Sequence, residues 1–344
     1  MSIPKLLLTL GVILFGIIGV VAYLKENDTT LRLSHLQTPQ SAPLEVELEN
    51  EIAVATPLAL PLPEMARNIL PEKEKVEIPL QAPAATPIAR VLPEANRIEE
   101  LFNKGEPKLP IVETIVYKSR VSWQKGRPAW LSDYATHYAT SRHFIARSLN
   151  GKPDYLKQDI AEGDRFNVMR LDRDISFHLL IDVSRCKLWF YYLDNGTRVL
   201  LKTYDVGLGR LDGSKASGWL TPLGTYLLGS KIATYKPKVI GFHNGQKTEM
   251  IRIFGSRWIP FDKEVSDCTA PAKGLGLHGV PWVFNPKNSQ LEQDVSSIGK
   301  HESDGCIRLS TQDVEELFSI IITKKTTVEL VNDFFDAKLP GVEK

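Results

Sequence analysis

One stretch of the chain, Ser303-Asp304-Gly305-Cys306-Ile307-Arg308-Leu309, contains the residue types that a thiol nucleophile needs. A cysteine reacts as the thiolate, which a nearby cation or a helix amino terminus favours. Arg308 follows Cys306 by two residues, and a helix capped by Ser310 is predicted to begin directly afterwards. Gly305 lets the backbone turn so that N–H groups face a substrate carbonyl, as in an oxyanion hole. The stretch predicts a nucleophilic Cys306, although a glycine–cysteine pair also occurs around buried structural cysteines.

An upstream histidine is the predicted general base. His278 lies at the end of the apolar stretch Gly276-Leu277-His278-Gly279, beside a glycine that leaves room for the ring. An imidazole there can take the thiol proton and later return it to a leaving amine. His301, in a charged loop just before Cys306, is a rival base. Taken by itself, His278 would equally fit a core histidine with satisfied hydrogen bonds.

The segment from about residue 175 to 332 is rich in strand patterns. Alternating apolar residues and turn signals predict short, mostly antiparallel strands. These are 177–182, 187–192, 199–206, 226–229, 250–254, 276–278 and 327–331. The clearest helix is predicted from Ser310 or Thr311 to Ile321, with Val314, Leu317 and Phe318 on its apolar face. This pattern predicts a mainly β domain with one or two helices.

Four motifs in this segment together resemble the L,D-transpeptidase (YkuD) catalytic domain. They are Thr221-Pro222-Leu223-Gly224, Leu277-His278-Gly279, Ile298-Gly299 and the stretch from Ser303 to Leu309. The resemblance implies a β-sandwich-like catalytic domain over residues 173–334, followed by a tail at 335–344. It implies Cys306 as nucleophile, His278 as base, and the main-chain carbonyl of Gly279 as the group that orients the ring. It also implies that Ser303, Gly305 and Arg308 line the substrate site. Asp304 and Trp258 are further candidate substrate-binding residues.

The sequence departs from the family pattern at two places. Asp304 stands where the family usually has a histidine, and the gap between His278 and Cys306 is longer than usual. A loop can lengthen at small entropic cost, so the extra residues around 281–295 are interpreted as a surface insertion that shapes a lid or a partner contact. Trp258 and Phe261 are candidates for a flap over the donor peptide, or else are core aromatics.

The implied activity is a two-step acyl transfer in peptidoglycan. A Cys306 thioester with a stem tetrapeptide would pass its acyl group to an amine, with no cofactor or metal. Two alternatives keep the fold: a cysteine-dependent L,D-carboxypeptidase or endopeptidase, and a catalytically dead peptidoglycan-binding protein. A metal enzyme is a third, but its candidate ligands match no metal-binding spacing. Those ligands are Cys268, His278, His301, Asp304 and Cys306.

Residues 111–172 predict a small β-α-α-β module before the catalytic domain. Leu131-Ser132-Asp133-Tyr134-Ala135 and Glu162-Gly163-Asp164 resemble the LysM family, which implies glycan strands as a second candidate partner. Gly126-Arg127-Pro128 and Glu162 depart from the family pattern. The alternative is a helix-turn-helix connector without sugar binding.

The amino-terminal part predicts export. Lys5 precedes an apolar run from Leu6 to Leu24, long enough to span a bilayer, for which about 20 residues are needed. Residues 1–28 are therefore interpreted as a single-pass membrane anchor that places the rest outside the cytoplasm, or as a signal peptide cleaved near Val20-Val21-Ala22. Residues 29–110 are rich in proline, which predicts an extended tether.

Composition limits the remaining function classes. A net charge of +1 without a basic cluster argues against a nucleic-acid partner. The three cysteines allow one disulfide at most, with Cys186–Cys268 as the candidate pair. The oligomeric state and the acceptor amine are left open.

Overall fold

The structure, a computed structural model, describes residues 91–344. The predicted anchor or signal peptide at 1–28 lies outside the described residues, as does the predicted tether up to residue 90. Among the helices of residues 91–344, none is long and apolar enough to span a membrane.

The front module, residues 91–172, has the β-α-α-β order that the sequence predicts, preceded by one helical turn. Its two strands pair antiparallel. Ser141 caps the last helix by accepting a hydrogen bond from the His143 N–H, and Gly151 ends it with a φ of 75°. The elements are α1 (Glu99–Phe102), β1 (Val112–Val116), α2 (Leu131–His137), α3 (Arg142–Asn150) and β2 (Arg165–Met169).

Part of the predicted tether differs from an extended spacer. Ile98, Leu101 and Leu109 are buried in the same core as the catalytic strands. Between its prolines the region contains a short apolar pattern, and burying these apolar side chains is more favourable than leaving them in water.

The domain that follows the front module consists mainly of strands. The helices are α4 (Ile251–Phe254) and α5 (Thr311–Ile321). The strands are β3 (Ile175–Asp182), β4 (Lys187–Asp194), β5 (Thr197–Asp205), β6 (Leu208–Gly209), β7 (Gly224–Leu228), β8 (Ala233–Thr234), β9 (Ile240–His243), β10 (Gln246–Glu249), β11 (Arg257–Ser266), β12 (Gly276–Gly279), β13 (Trp282–Asn285), β14 (Gln290–Gln293), β15 (His301–Ser303), β16 (Ile307–Leu309), β17 (Thr326–Val331) and β18 (Val342–Glu343).

Most of these strands belong to one curled sheet. Its order is β16-β12-β11-β7-β17-β3-β4-β5-β18, with β8 paired to β11. The pairs β12–β16, β17–β3 and β5–β18 are parallel. The prediction of a mainly β domain with few helices is confirmed. The two neighbouring strands at one end, β12 and β16, bring His278 and the Cys306 region together.

The main core lies between this sheet and α5. Along β3, Phe177, Leu179 and Ile181 face the core, whereas Leu180 packs on the opposite face with Trp189. The predicted apolar face of α5 is fully buried.

The predicted strand at 250–254 is wrong, because residues 251–254 form the one-turn helix α4. A short apolar run does not distinguish a strand from a helical turn, and Gly255, at a φ of 59°, ends the turn. The predicted insertion, in contrast, is a surface hairpin in which β13 pairs with β14.

Candidate active site

Cys306 lies in a tight turn between β15 and β16. The Ser303 hydroxyl donates a hydrogen bond to the Cys306 carbonyl (2.7 Å) and accepts one from the Gly305 N–H (3.1 Å). Gly305 has a φ of 116°, and a Cβ there would come within 2.9 Å of the Leu220 carbonyl oxygen. Both the backbone angle and the lack of space therefore require glycine.

A residue outside the predicted site closes this turn. The Thr221 hydroxyl donates to the Gly305 carbonyl (3.0 Å) and accepts from the Gly209 N–H (2.7 Å). Thr221 is fully buried. It was not predicted to take part, although it opens the Thr-Pro-Leu-Gly motif, which was the available signal.

The pairing of β12 with β16 brings the predicted base close to the turn that carries the predicted nucleophile. His278 is opposite Arg308 in this parallel pair. Cys306 lies in the turn directly before β16, two residues from Arg308. The Arg308 charge lowers the pKa of both His278 and Cys306, as expected for a guanidinium close to both.

The His278 ring is buried and held in one orientation. Its Nδ1–H donates to the Gly279 carbonyl at 2.7 Å, which leaves Nε2 as the hydrogen-bond acceptor. Phe254 packs perpendicular to the ring at 5.4 Å, and Trp258 lies at 5.9 Å. Burial lowers the His278 pKa to about 4, and the Arg308 charge contributes in the same direction. The imidazole is therefore neutral at physiological pH.

The environment of the Cys306 sulfur likewise favours the neutral form. Burial raises its pKa to about 11, while the Gly276 backbone and Arg308 partly oppose that shift. The thiol lies 3.7 Å from the Gly274 carbonyl oxygen. These environments favour a neutral thiol at Cys306 and a neutral imidazole at His278.

The remaining predicted substrate-binding residues surround this pair. Asp304 is exposed and forms an ion pair with Arg210 at 2.8 Å. The Nε of Arg308 is buried and has no hydrogen-bond partner among the described residues. Trp258 is opposite His278 across the β11–β12 pair. Phe261 instead belongs to the core, stacked on Tyr226 at 4.9 Å.

A groove of about 280 Å³ opens beside the cysteine turn. It is lined by Trp219, Leu220, Lys273, Leu275 and Asp304, among others. Its charged lining residues are Lys215, Lys273 and Asp304.

His301, the alternative base predicted from the sequence, makes its hydrogen bond and ring contact with residues other than Cys306. The Nε2–H of His301 donates to the Val183 carbonyl at 2.7 Å, and the ring stacks on Trp219 at 3.9 Å. The sulfur nearest to it is that of Cys186, at 3.5 Å from Nε2. These contacts give His301 a structural role.

The candidate disulfide is absent. All three cysteines are free thiols, and Cys268 donates a hydrogen bond to the Thr225 carbonyl instead. Within residues 91–344, no three His, Cys, Asp or Glu side chains converge as a metal site would require.

Residues 176–330 match the family model for YkuD, the L,D-transpeptidase catalytic domain. This segment of the chain is therefore a YkuD domain. No curated protein matches the chain.

Solved structures that resemble the chain include two bacterial proteins. Bd1075 from Bdellovibrio bacteriovorus has 15% identity and a TM-score of 0.32, over 46% of this chain and 48% of that one. The helical cell shape determining protein Pgp2 from Campylobacter jejuni has 19% identity and a TM-score of 0.32, over 49% and 50%. The matched segment thus spans about half the length of each of these structures.

Proposed function

We propose that this chain is a peptidoglycan L,D-transpeptidase, with Cys306 as nucleophile and His278 as general base. The observation that carries the proposal is the hydrogen bond from His278 Nδ1 to the Gly279 carbonyl, at 2.7 Å. This bond fixes the tautomer in which Nε2 accepts a proton, and the pairing of β12 with β16 brings the Cys306 turn close to His278. A thiol and a proton acceptor held in this way are the minimum requirement for acyl transfer through a thioester.

In the first step, the thiol attacks the carbonyl carbon of the third residue of a stem tetrapeptide. Because the resting pair is neutral, the S–H proton moves to His278 Nε2 as the C–S bond forms. The C–N bond to the terminal D-alanine then breaks, and its amine leaves with that proton. The product is an acyl thioester on Cys306.

In the second step, an amine attacks the thioester. His278 takes the amine proton, the new C–N bond forms, and the sulfur leaves and recovers a proton as a thiol. The energy of the cleaved amide is retained in the thioester, so the reaction needs neither ATP nor a metal. Water in place of the amine would make the enzyme a carboxypeptidase or endopeptidase.

The surrounding residues supply substrate contacts in this proposal. The unpartnered Arg308 Nε can donate to an anionic or carbonyl oxygen of the donor peptide, since a buried donor without a partner is costly. Trp258 supports the His278 ring and offers an apolar wall. Ser303 and Gly305 hold the cysteine turn, while Asp304 and Arg210 form its solvent-facing edge.

The proposed location is outside the cytoplasmic membrane, where peptidoglycan lies. Residues 1–28 would hold the chain to the membrane by one span, unless they are removed as a signal peptide. Glycan strands are a second proposed partner, through the front module.

Incubation with purified muropeptides tests the proposal. The wild-type chain should release D-alanine and give a Cys306 adduct heavier by the acyl group, read by mass spectrometry. Cross-linked dimers indicate transfer, whereas free tripeptides indicate hydrolysis. Cys306→Ala should abolish both products, and the matched control Cys268→Ala should retain activity. Full activity in Cys306→Ala would refute the assignment.

A further inference from the structure

A buried arginine joins the front module to the strand beside the active site. Arg257 begins β11 and is 2% exposed. Its guanidinium forms an ion pair with Asp154 of the front module and approaches Glu315 of α5 at 3.4 Å. It also lies 5.2 Å from the Phe318 ring. A charge this deeply buried stays in place only if its partners stay as well.

The module holds Asp154 firmly. This residue lies in the loop between α3 and β2, and its carboxylate is 3.3 Å from His143 Nδ1 on α3. The backbone N–H of Tyr155, the next residue, lies 3.2 Å from the same ring nitrogen, so this part of the loop packs directly against the ring. The loop therefore fixes the position of the carboxylate before it meets Arg257.

Arg257 is in turn adjacent to the residues that enclose His278. The next residue, Trp258, is opposite His278 in the sheet, with the two rings 5.9 Å apart. Two residues earlier, Gly255 is so close to Gly279 that a Cβ would come within 2.6 Å of the Gly279 carbonyl carbon. Residues 255–258 thus pack against both the base and the residue whose carbonyl orients it.

We infer that Asp154 and Arg257 are positioning residues of the acyl-transfer reaction. By holding residues 255–258, they keep the His278 ring in the position from which Nε2 can accept the Cys306 thiol proton. Displacement of a catalytic group by about 1 Å can cost a hundredfold in rate. The front module is accordingly part of the catalytic unit. This inference rests on the proposed function, because it takes His278 as the base.

The test compares two carboxylates of the same loop in the full-length chain. Asp154→Asn removes the charge that meets Arg257, whereas Asp159→Asn removes an exposed charge paired only with Lys152. We expect Asp154→Asn to lower kcat about tenfold with KM within about twofold, since a displaced base slows chemistry and leaves substrate contacts intact. Asp159→Asn should leave both constants unchanged.

Counting the active sites distinguishes a positioning role of Asp154 from a folding defect caused by its substitution. Labelling of Cys306 with a covalent thiol reagent gives the fraction of competent sites, and kcat is expressed per labelled site. A loss explained entirely by fewer labelled sites would overturn the inference, as would equal kcat values in the two variants. Asp154→Glu and Arg257→Lys keep the charges, and each should retain more kcat than Asp154→Asn.

The outcome also distinguishes this inference from the proposed function. An inactive Cys306→Ala together with a fully active Asp154→Asn would refute only the positioning role. Full activity in Cys306→Ala would refute the proposed function itself.

Discussion

The Cys306 sulfur lies in an environment that favours the thiol over the thiolate. Burial raises its pKa to about 11, and the rate of alkylation follows the thiolate fraction. We therefore expect the rate of Cys306 alkylation by iodoacetamide, without added substrate, to rise about tenfold per pH unit from pH 6 to 9. Mass spectrometry of the Cys186→Ala, Cys268→Ala double variant measures the rate at one thiol.

The unfolded double variant is the reference, because an unperturbed cysteine titrates near pH 8.5. A rate that is already at its plateau near pH 7 in the folded protein would instead indicate a preformed thiolate–imidazolium pair. Such a result would require an environment for Cys306 different from the one described.

His278 gives a second prediction at the level of one residue. Burial holds its pKa at about 4, so the neutral, proton-accepting form persists well below the usual value of 6.5. We expect kcat/KM to fall only as pH decreases through about 4, where the imidazole becomes protonated and loses its role as base. A pH–rate profile measures this, and His278→Gln should lower the rate by roughly 10²–10⁴. An acidic limb near 6.5 would contradict the prediction.

At the level of elements, the alternation of apolar residues was sufficient to predict the strands β3, β4 and β17. The cap at Ser310 and the apolar face that follows were sufficient to predict the helix α5. The pairing of β12 with β16 was not predictable from local pattern, because the two strands are far apart in sequence and short. The candidate site followed from the motifs around His278 and Cys306. Asp154 carries no local signal, since its role depends on a contact made through folding with a distant strand.

The hairpin of β13 and β14 supplies a prediction for an element. Its strand residues Val283 and Phe284 are exposed to solvent, while its base contacts the start of α5: the Trp282 indole N–H donates to the Thr311 hydroxyl at 3.2 Å. Replacing residues 283–292 with Asn-Gly joins Trp282 to its register partner Gln293 by a two-residue turn. We expect the melting temperature to stay within about 2 °C, because surface changes of this kind cost little.

Trp282→Ala is the matched variant at the base of the hairpin, and it should lower the melting temperature more than the truncation. Calorimetry measures both. If the truncation lowered the melting temperature as much as Trp282→Ala does, the exposed tip would have a structural role that its contacts do not explain.

For the whole molecule, the stability that the ion pair between Asp154 and Arg257 provides should depend on pH. His143 and then Arg257 lower the Asp154 pKa from 3.8 to about 2. Because the folded-state pKa lies below the unfolded one, this carboxylate stabilises the fold above about pH 4, and the effect is lost as pH falls through about 2. The shift corresponds to about 2 kcal/mol at pH 7.

Asp154→Asn should therefore lower the free energy of unfolding by about 2 kcal/mol at pH 7, and by about 1 kcal/mol less at pH 3. Urea denaturation at the two pH values measures the difference, and Asp159→Asn, which removes an exposed charge, should leave both curves unchanged. An equal loss at both pH values would mean that Asp154 stabilises the fold through hydrogen bonding and packing that its charge does not affect. A loss that shrinks at low pH would mean that the ionised carboxylate joins the front module to the catalytic strand, as the burial of Arg257 requires.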